Sequence, residues 1–93
     1  MILEVAILPI KSGLERKFEE SFAKASPIIS SMKGCISHEL KKCVEKKGQY
    51  MLLVNWDTIE DHEIGFRQSH EYQEWKKLLH HFYDPFPEVL HYS

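Results

Sequence analysis

Two neighbouring stretches, Cys35–Val44 and Tyr50–Trp56, restrict the possible folds of this chain more than any other feature. In the first, Ile36, His38 and Leu40 share one side, and Ser37, Glu39 and Lys41 the other. The second puts Tyr50, Leu52, Val54 and Trp56 on one side, and Met51, Leu53 and Asn55 on the other. Between them lies Glu45-Lys46-Lys47-Gly48, a polar turn with a permissive glycine. Alternation with period two on both sides of such a turn predicts a β-hairpin.

The flanking segments extend this hairpin into a full topology. Residues 2–10, ILEVAILPI, read as a strand apolar on both sides: Ile2, Glu4, Ala6, Leu8 and Ile10 against Leu3, Val5, Ile7 and Pro9. Pro9 cannot donate to a ladder and marks the end of the strand or an edge. Ser12 and Glu15 have capping-box spacing. Leu14, Phe18, Phe22, Ala25, Ile29 and Met32 then form one helical stripe. Pro27 predicts a kink or break, and Gly34 a helix end. After the hairpin, Asp57 or Thr58 caps a short helical piece carrying Ile59 and Phe66, weakened by Gly65. Ser69 starts a second piece, with Tyr72, Trp75, Leu79 and Phe82 at helical spacing. Asp84-Pro85-Phe86-Pro87 ends it, and Val89–Tyr92 reads as a closing strand.

The order strand, helix, strand, strand, helix, strand is the split βαβ pattern. We therefore expect one α+β domain over residues 1–93, ferredoxin-like, with a four-stranded antiparallel sheet and both helices on one face. The first and third strands are apolar on both sides, so the other face would be a bare apolar surface. The expected remedy is a homodimer with sheet faces opposed, forming a dimeric α/β barrel. The prolines at 85 and 87 hold the last connection extended, so the C-terminal strand could cross to the partner.

Composition narrows the function classes. At 93 residues and 43% hydrophobic, the chain has room for a single small core. Twelve basic against fourteen acidic residues give a net charge of −2, with no basic excess to neutralise nucleic-acid phosphates. No apolar run approaches the roughly 20 residues that span a bilayer. Met1 opens directly onto a strand, so we expect no signal peptide and a cytoplasmic protein. Cys35 and Cys43 lie about 26 Å apart along one extended strand and cannot pair there. The six histidines lack metal-ligand spacing, and His80 and His81 point about 100° apart on a helix. The four glycines are scattered and form no phosphate loop. We expect neither metal nor cofactor.

The candidate site residues are polar groups in apolar surroundings. Asn55 is unfavourable in an apolar strand. Facing a pocket beneath the helices, its amide would hold a substrate oxygen, and Trp56 would point to the opposite face and a dimer interface. The alternative is a structural asparagine bonded at the strand end. Phe22, Phe66, Tyr72, Trp75 and Phe82 are either core or the wall of a cavity for a flat organic molecule. His38, His80 and His81 are candidate general bases for a phenol-like substrate at pH 7.

The first strand through Pro9, the hairpin ending LLVNWDT, the run Phe66-Arg67-x-Ser69-x-x-Tyr72-x-x-Trp75 and the terminal PFPEVLHY resemble the antibiotic biosynthesis monooxygenase domain. The resemblance spans essentially the whole chain and implies a small dimeric ferredoxin-like module. Well-studied members oxidise polycyclic phenols to quinones with molecular oxygen and no metal, flavin or haem, assisted by an asparagine and a tryptophan. Asn55 is the nearest asparagine by this resemblance. A haem-degrading branch uses a first-strand asparagine and a later tryptophan and histidine. Here Glu4 or Ala6, Phe66 and Lys76 stand at those places, so this chain departs from that branch. The resemblance implies a cofactor-independent monooxygenase acting on a small aromatic, phenolic or quinol-like compound. The alternative is a non-catalytic dimeric ligand-binding or structural protein of the same fold.

Overall fold

A computed structural model describes residues 1–93. The apolar alternation of residues 2–9 produces β1 (Ile2–Pro9), one of the two inner strands of a four-stranded sheet. It is followed by α1 (Glu15–Ser30), β2 (Cys35–Lys42), β3 (Gln49–Trp56), α2 (His70–Leu79) and β4 (Val89–Tyr92). A π-type turn, Asp61–Phe66, lies between β3 and α2, and a 3-10 turn, His80–Phe82, follows α2. The sheet order is β2-β3-β1-β4, with antiparallel neighbours throughout. This is the ferredoxin-like arrangement, with the helices on one face.

Three expectations need correction. The sheet does not close into a barrel: it is a single open four-stranded sheet whose edges, β2 and β4, do not pair. Closure would require a continuous ladder around the circumference, which four strands with two free edges lack. The C-terminal strand does not leave its own sheet either. β4 folds back on β1, with Glu4 opposite His91 and Ala6 opposite Val89. Nor does Pro27 break α1, which continues to Ser30. Pro27 sits in the last turn, and both it and Ala23, whose carbonyl loses its donor, are exposed to water.

Local signals account for most boundaries. Glu15 accepts from the Gly13 N–H at 3.1 Å and Ser12 caps nothing, so the expected Ser12–Glu15 capping box does not form; α1 starts one residue after Leu14 instead. Thr58 Oγ1 accepts from the Asp61 N–H at 3.1 Å and opens the π-type turn. Ser69 Oγ accepts from the Tyr72 N–H at 3.1 Å and caps α2. Gly34 has φ +86°, and a Cβ there would lie 2.2 Å from Asp61 Oδ2, so only glycine fits between α1 and β2. A bulge between Cys35 and Ser37 leaves Ile36 exposed instead of sharing the face of His38 and Leu40.

The core lies between the sheet and the helices. Phe18, Phe22, Ala25 and Ile29 from α1, and Trp75 and Leu79 from α2, cover Ala6, Leu8, Tyr50, Leu52, Val54 and Trp56. At its rim the Tyr50 hydroxyl donates to Glu19, which also pairs with Lys42 at 3.3 Å. No helix is long and apolar enough to cross a membrane.

Candidate active site

The core is not filled at the β1–β4 end. A cavity of about 430 Å³ lies there between the sheet and the α2 side of the helical layer. Its floor is the covered side of β1 and β3: Glu4, Ala6, Leu8 and Leu52. Phe66, Tyr72 and Trp75 form an aromatic wall, with Phe66 edge-on to both of the others at 5.2 and 5.6 Å between ring centroids. Tyr83, Phe86 and Pro87, from the connection to β4, close the far side. The sequence places these groups simply: Ser69 fixes the start of α2, and Tyr72 and Trp75 follow one turn apart on its buried side.

The floor carries a buried polar chain. Glu4 is the only charged residue in β1, and its side faces the helices. The Trp56 indole N–H donates to Glu4 Oε1 at 2.9 Å. The same oxygen lies 3.4 Å from His62 Nε2. His62 stacks on Trp56, with centroids 5.2 Å apart and planes at 17°. His62 Nδ1 is 2.8 Å from His91 Nε2, one ring donating and the other accepting. Glu4 and His62 are 5% and 3% exposed, whereas His91, on the edge strand, is half-buried.

Burial sets the charge states of this chain of groups. It pushes the Glu4 carboxyl upward, against the opposing pull of the Trp56 hydrogen bond and the Arg67 guanidinium. It pushes His62 down to about 3, helped by the nearby Arg67 guanidinium and, less, by the neighbouring His91 ring. His62 is therefore neutral at pH 7, and its contact with Glu4 is not a pair of full charges. On the opposite wall, burial and Lys76 lower His80, and burial raises the Tyr72 and Tyr83 phenols. Arg67 lines the cavity and belongs to none of the ion pairs of the chain. It can therefore face an anionic ligand. No group of three or more His, Cys, Asp or Glu side chains is placed to hold a metal.

Of the residues singled out in the sequence, Phe66, Tyr72, Trp75 and His80 come together around the cavity. Phe22 and Phe82 are buried in the core beside it, each packed against Phe18. His38 is held at the α1–β2 edge, with Nε2 2.8 Å from Ser26 Oγ and Nδ1 3.3 Å from Ser30 Oγ. His81 is exposed and lies outside the cavity. The expected orientation of the Asn55–Trp56 pair is reversed. Trp56 is fully buried beneath the helices, and Asn55 stands on the opposite face, where its Nδ2 donates to Ser37 Oγ at 3.0 Å. The hairpin register puts Trp56 in one set with Tyr50, Leu52 and Val54, and so puts Asn55 outside.

Glu4, His62, Arg67 and His91 escaped the sequence reading as site residues. Glu4 did carry a signal, being a lone carboxylate among apolar neighbours on one side of β1. His62 carried less, since a half-turn shift would have put Glu63 inward instead.

An open split-βαβ sheet, with a polar-floored aromatic cavity under its second helix, defines a ferredoxin-like α+β protein. The antibiotic biosynthesis monooxygenase family model matches residues 1–78. The uncharacterized protein YczJ of Bacillus subtilis (strain 168) is 60% identical over 93 residues, covering 100% of this chain and 98% of that protein. A crystal structure from Bordetella bronchiseptica, of a protein whose name places it in the same family, superposes with TM-score 0.94 at 35% identity. That match covers 99% of this chain and 94% of the other. SnoaB from Streptomyces nogalater, a cofactor-independent oxygenase, shares the fold with TM-score 0.82 at 15% identity, over 99% and 90% of the two chains. The chain belongs to the antibiotic biosynthesis monooxygenase family.

Proposed function

We propose that this protein is a cofactor-independent monooxygenase that oxidises a small phenolic or quinol-like compound to a quinone. The observation that carries the reading is the 430 Å³ cavity, walled by Phe66, Tyr72 and Trp75 and edged by Arg67 and His80. A purely structural module of this fold would be expected to fill that space with its own rings. SnoaB, which shares the fold, is itself a cofactor-independent oxygenase.

The chemistry needs no group beyond substrate and oxygen. A phenol plus molecular oxygen gives a quinone plus water: one oxygen atom enters the ring and the other leaves as water with two substrate hydrogens. The substrate supplies the electrons, and its anion does so far more readily than the neutral phenol. His80, neutral at pH 7 because burial lowers it, takes the phenolic proton. Arg67 stabilises the resulting anion. The rings of Phe66 and Trp75 orient the flat substrate and exclude water.

The same reading makes the protein a homodimer acting in the cytoplasm. Both cysteines are free, as a reducing compartment would keep them. The uncovered sheet face exposes Ile7 and Met51, paired across β1 and β3, together with Leu90 and Tyr92. Opposing two such faces would bury them. Light scattering should give twice the 11.0 kDa chain mass.

The activity is tested by oxygen uptake over a panel of naphthols and naphthoquinols with purified, metal-free protein. Quinone formation that falls at least tenfold in Arg67→Gln supports the reading. Tight binding of the panel with no oxygen uptake makes the protein a binding module instead.

A further inference from the structure

The oxidation of a phenol to a quinone removes two hydrogens from the substrate, one from oxygen and one from the ring carbon that becomes a carbonyl. His80 lies on the wall of the cavity and can serve the first. The floor holds a second, separate acid–base group. Glu4 Oε1 is fixed by the Trp56 indole at 2.9 Å and lies 3.4 Å from His62, which is bonded at 2.8 Å to His91. Glu4 and His62 both line the cavity, and His91 stands on the edge strand β4, half open to water. Apolar packing alone would not retain a carboxyl and two imidazoles in a line on the covered side of a sheet, since each must be desolvated.

The geometry points to Glu4 as the base that removes the ring hydrogen, with His62 and His91 as the outlet that passes the proton to solvent. This assignment rests on the oxygenase reading above. In the step itself, the oxygenated ring carbon loses its hydrogen to Glu4 as a proton. The C–H electron pair becomes the second bond of the new carbonyl, and the O–O bond breaks. The departing oxygen leaves as hydroxide and is protonated to water, so atoms and electrons balance without another reactant. His62 then accepts from Glu4 through Nε2 while releasing its Nδ1 proton to His91, so it need never carry a full charge for long. The charged and titratable groups around this line are Arg67 after the π-type turn, Tyr72 on α2, Tyr83 beyond it and Cys35 at the start of β2.

The test uses the full-length protein and a naphthol carrying deuterium at the ring carbon para to its hydroxyl. Glu4→Gln keeps an acceptor for the Trp56 indole and should lower turnover about 100-fold or more, with KM little changed. Its deuterium isotope effect on turnover should exceed that of the unaltered protein, because ring C–H cleavage becomes limiting. His91→Gln should slow turnover several-fold, and added imidazole should restore it. If Glu4→Gln fails to fold, Glu4→Asp is read in its place, with reduced turnover and the same rise in isotope effect. Full turnover in the Glu4 variant, a loss with no isotope effect, or a His91 variant that imidazole does not rescue overturns the assignment and leaves the oxygenase reading standing. Absence of oxygen uptake by the unaltered protein overturns both.

Discussion

The two faces of the sheet are built from the same strands and follow opposite rules. On the covered face, Ala6, Leu8, Tyr50, Leu52, Val54 and Trp56 are all buried, and the only charged side chain among them, Glu4, is matched to an indole and an imidazole. On the uncovered face, Ile7, Met51 and Leu90 remain more than a third exposed, and the polar side chains Ser37 and Asn55 satisfy each other. The contrast shows where this fold can afford chemistry. A polar group on the covered face is forced into a fixed geometry with a shifted proton affinity, whereas one on the uncovered face is solvated and interchangeable. Asn55 and Trp56 are adjacent in sequence and fall on opposite sides of that divide.

Removing the buried member of this pair should break the comparison most directly. Trp56→Ala removes a fully buried ring and leaves Glu4 without its donor, and should destabilise the protein by about 3–5 kcal/mol in urea unfolding. A loss under 1 kcal/mol would mean that the covered face is much looser than its packing indicates.

Acid should act on the covered face next. His62 takes up a proton at 6.5 when unfolded and only near 3 when folded, so below pH 6.5 the unfolded chain binds more protons. Stability is therefore lost as pH falls through that window, at on the order of 1 kcal/mol per unit. Glu4 works in the other direction: its raised affinity favours the folded state at low pH, and that contribution is lost as pH rises through its folded value. Thermal melts from pH 7 to pH 4 should show the net fall, and His62→Gln should flatten it. An unchanged slope in that variant would mean that the acid lability comes from elsewhere.

On the uncovered face, Ile7→Lys should disturb the fold of a single chain little, since the side chain is 38% exposed there, and should lower the melting temperature only by the stabilisation that the partner supplied. Its effect should appear in mass instead, halving the scattering mass of the assembly by placing two ammonium groups in the apposed faces. The smallest effect is expected for Asn55→Ala, which removes only the 3.0 Å bond to a solvated Ser37. A stability change of about 0.5–1.5 kcal/mol is anticipated by denaturant titration, well below that of its neighbour Trp56.

Much of this architecture is written locally. Period-two alternation in β1 and β3, the α1 stripe, and the Ser69 and Gly34 signals depend on residues within a few positions of one another. They set the element order and, through it, the split βαβ topology. The aromatic wall was also legible, because Phe66, Tyr72 and Trp75 recur at helical spacing across one cap. The inward face of β3 could not be read the same way, because alternation defines two sets without naming the buried one. Asn55 was expected inward for its chemistry, and the helices instead pack over the set ending in Trp56, which buries far more apolar surface. The line from Glu4 to His62 to His91 joins β1, the π-type turn and β4, residues 58 and 29 positions apart in the chain. Only the docking of β4 on β1 and of the turn over Trp56 brings them together, so the polar floor of the cavity belongs to the tertiary structure alone.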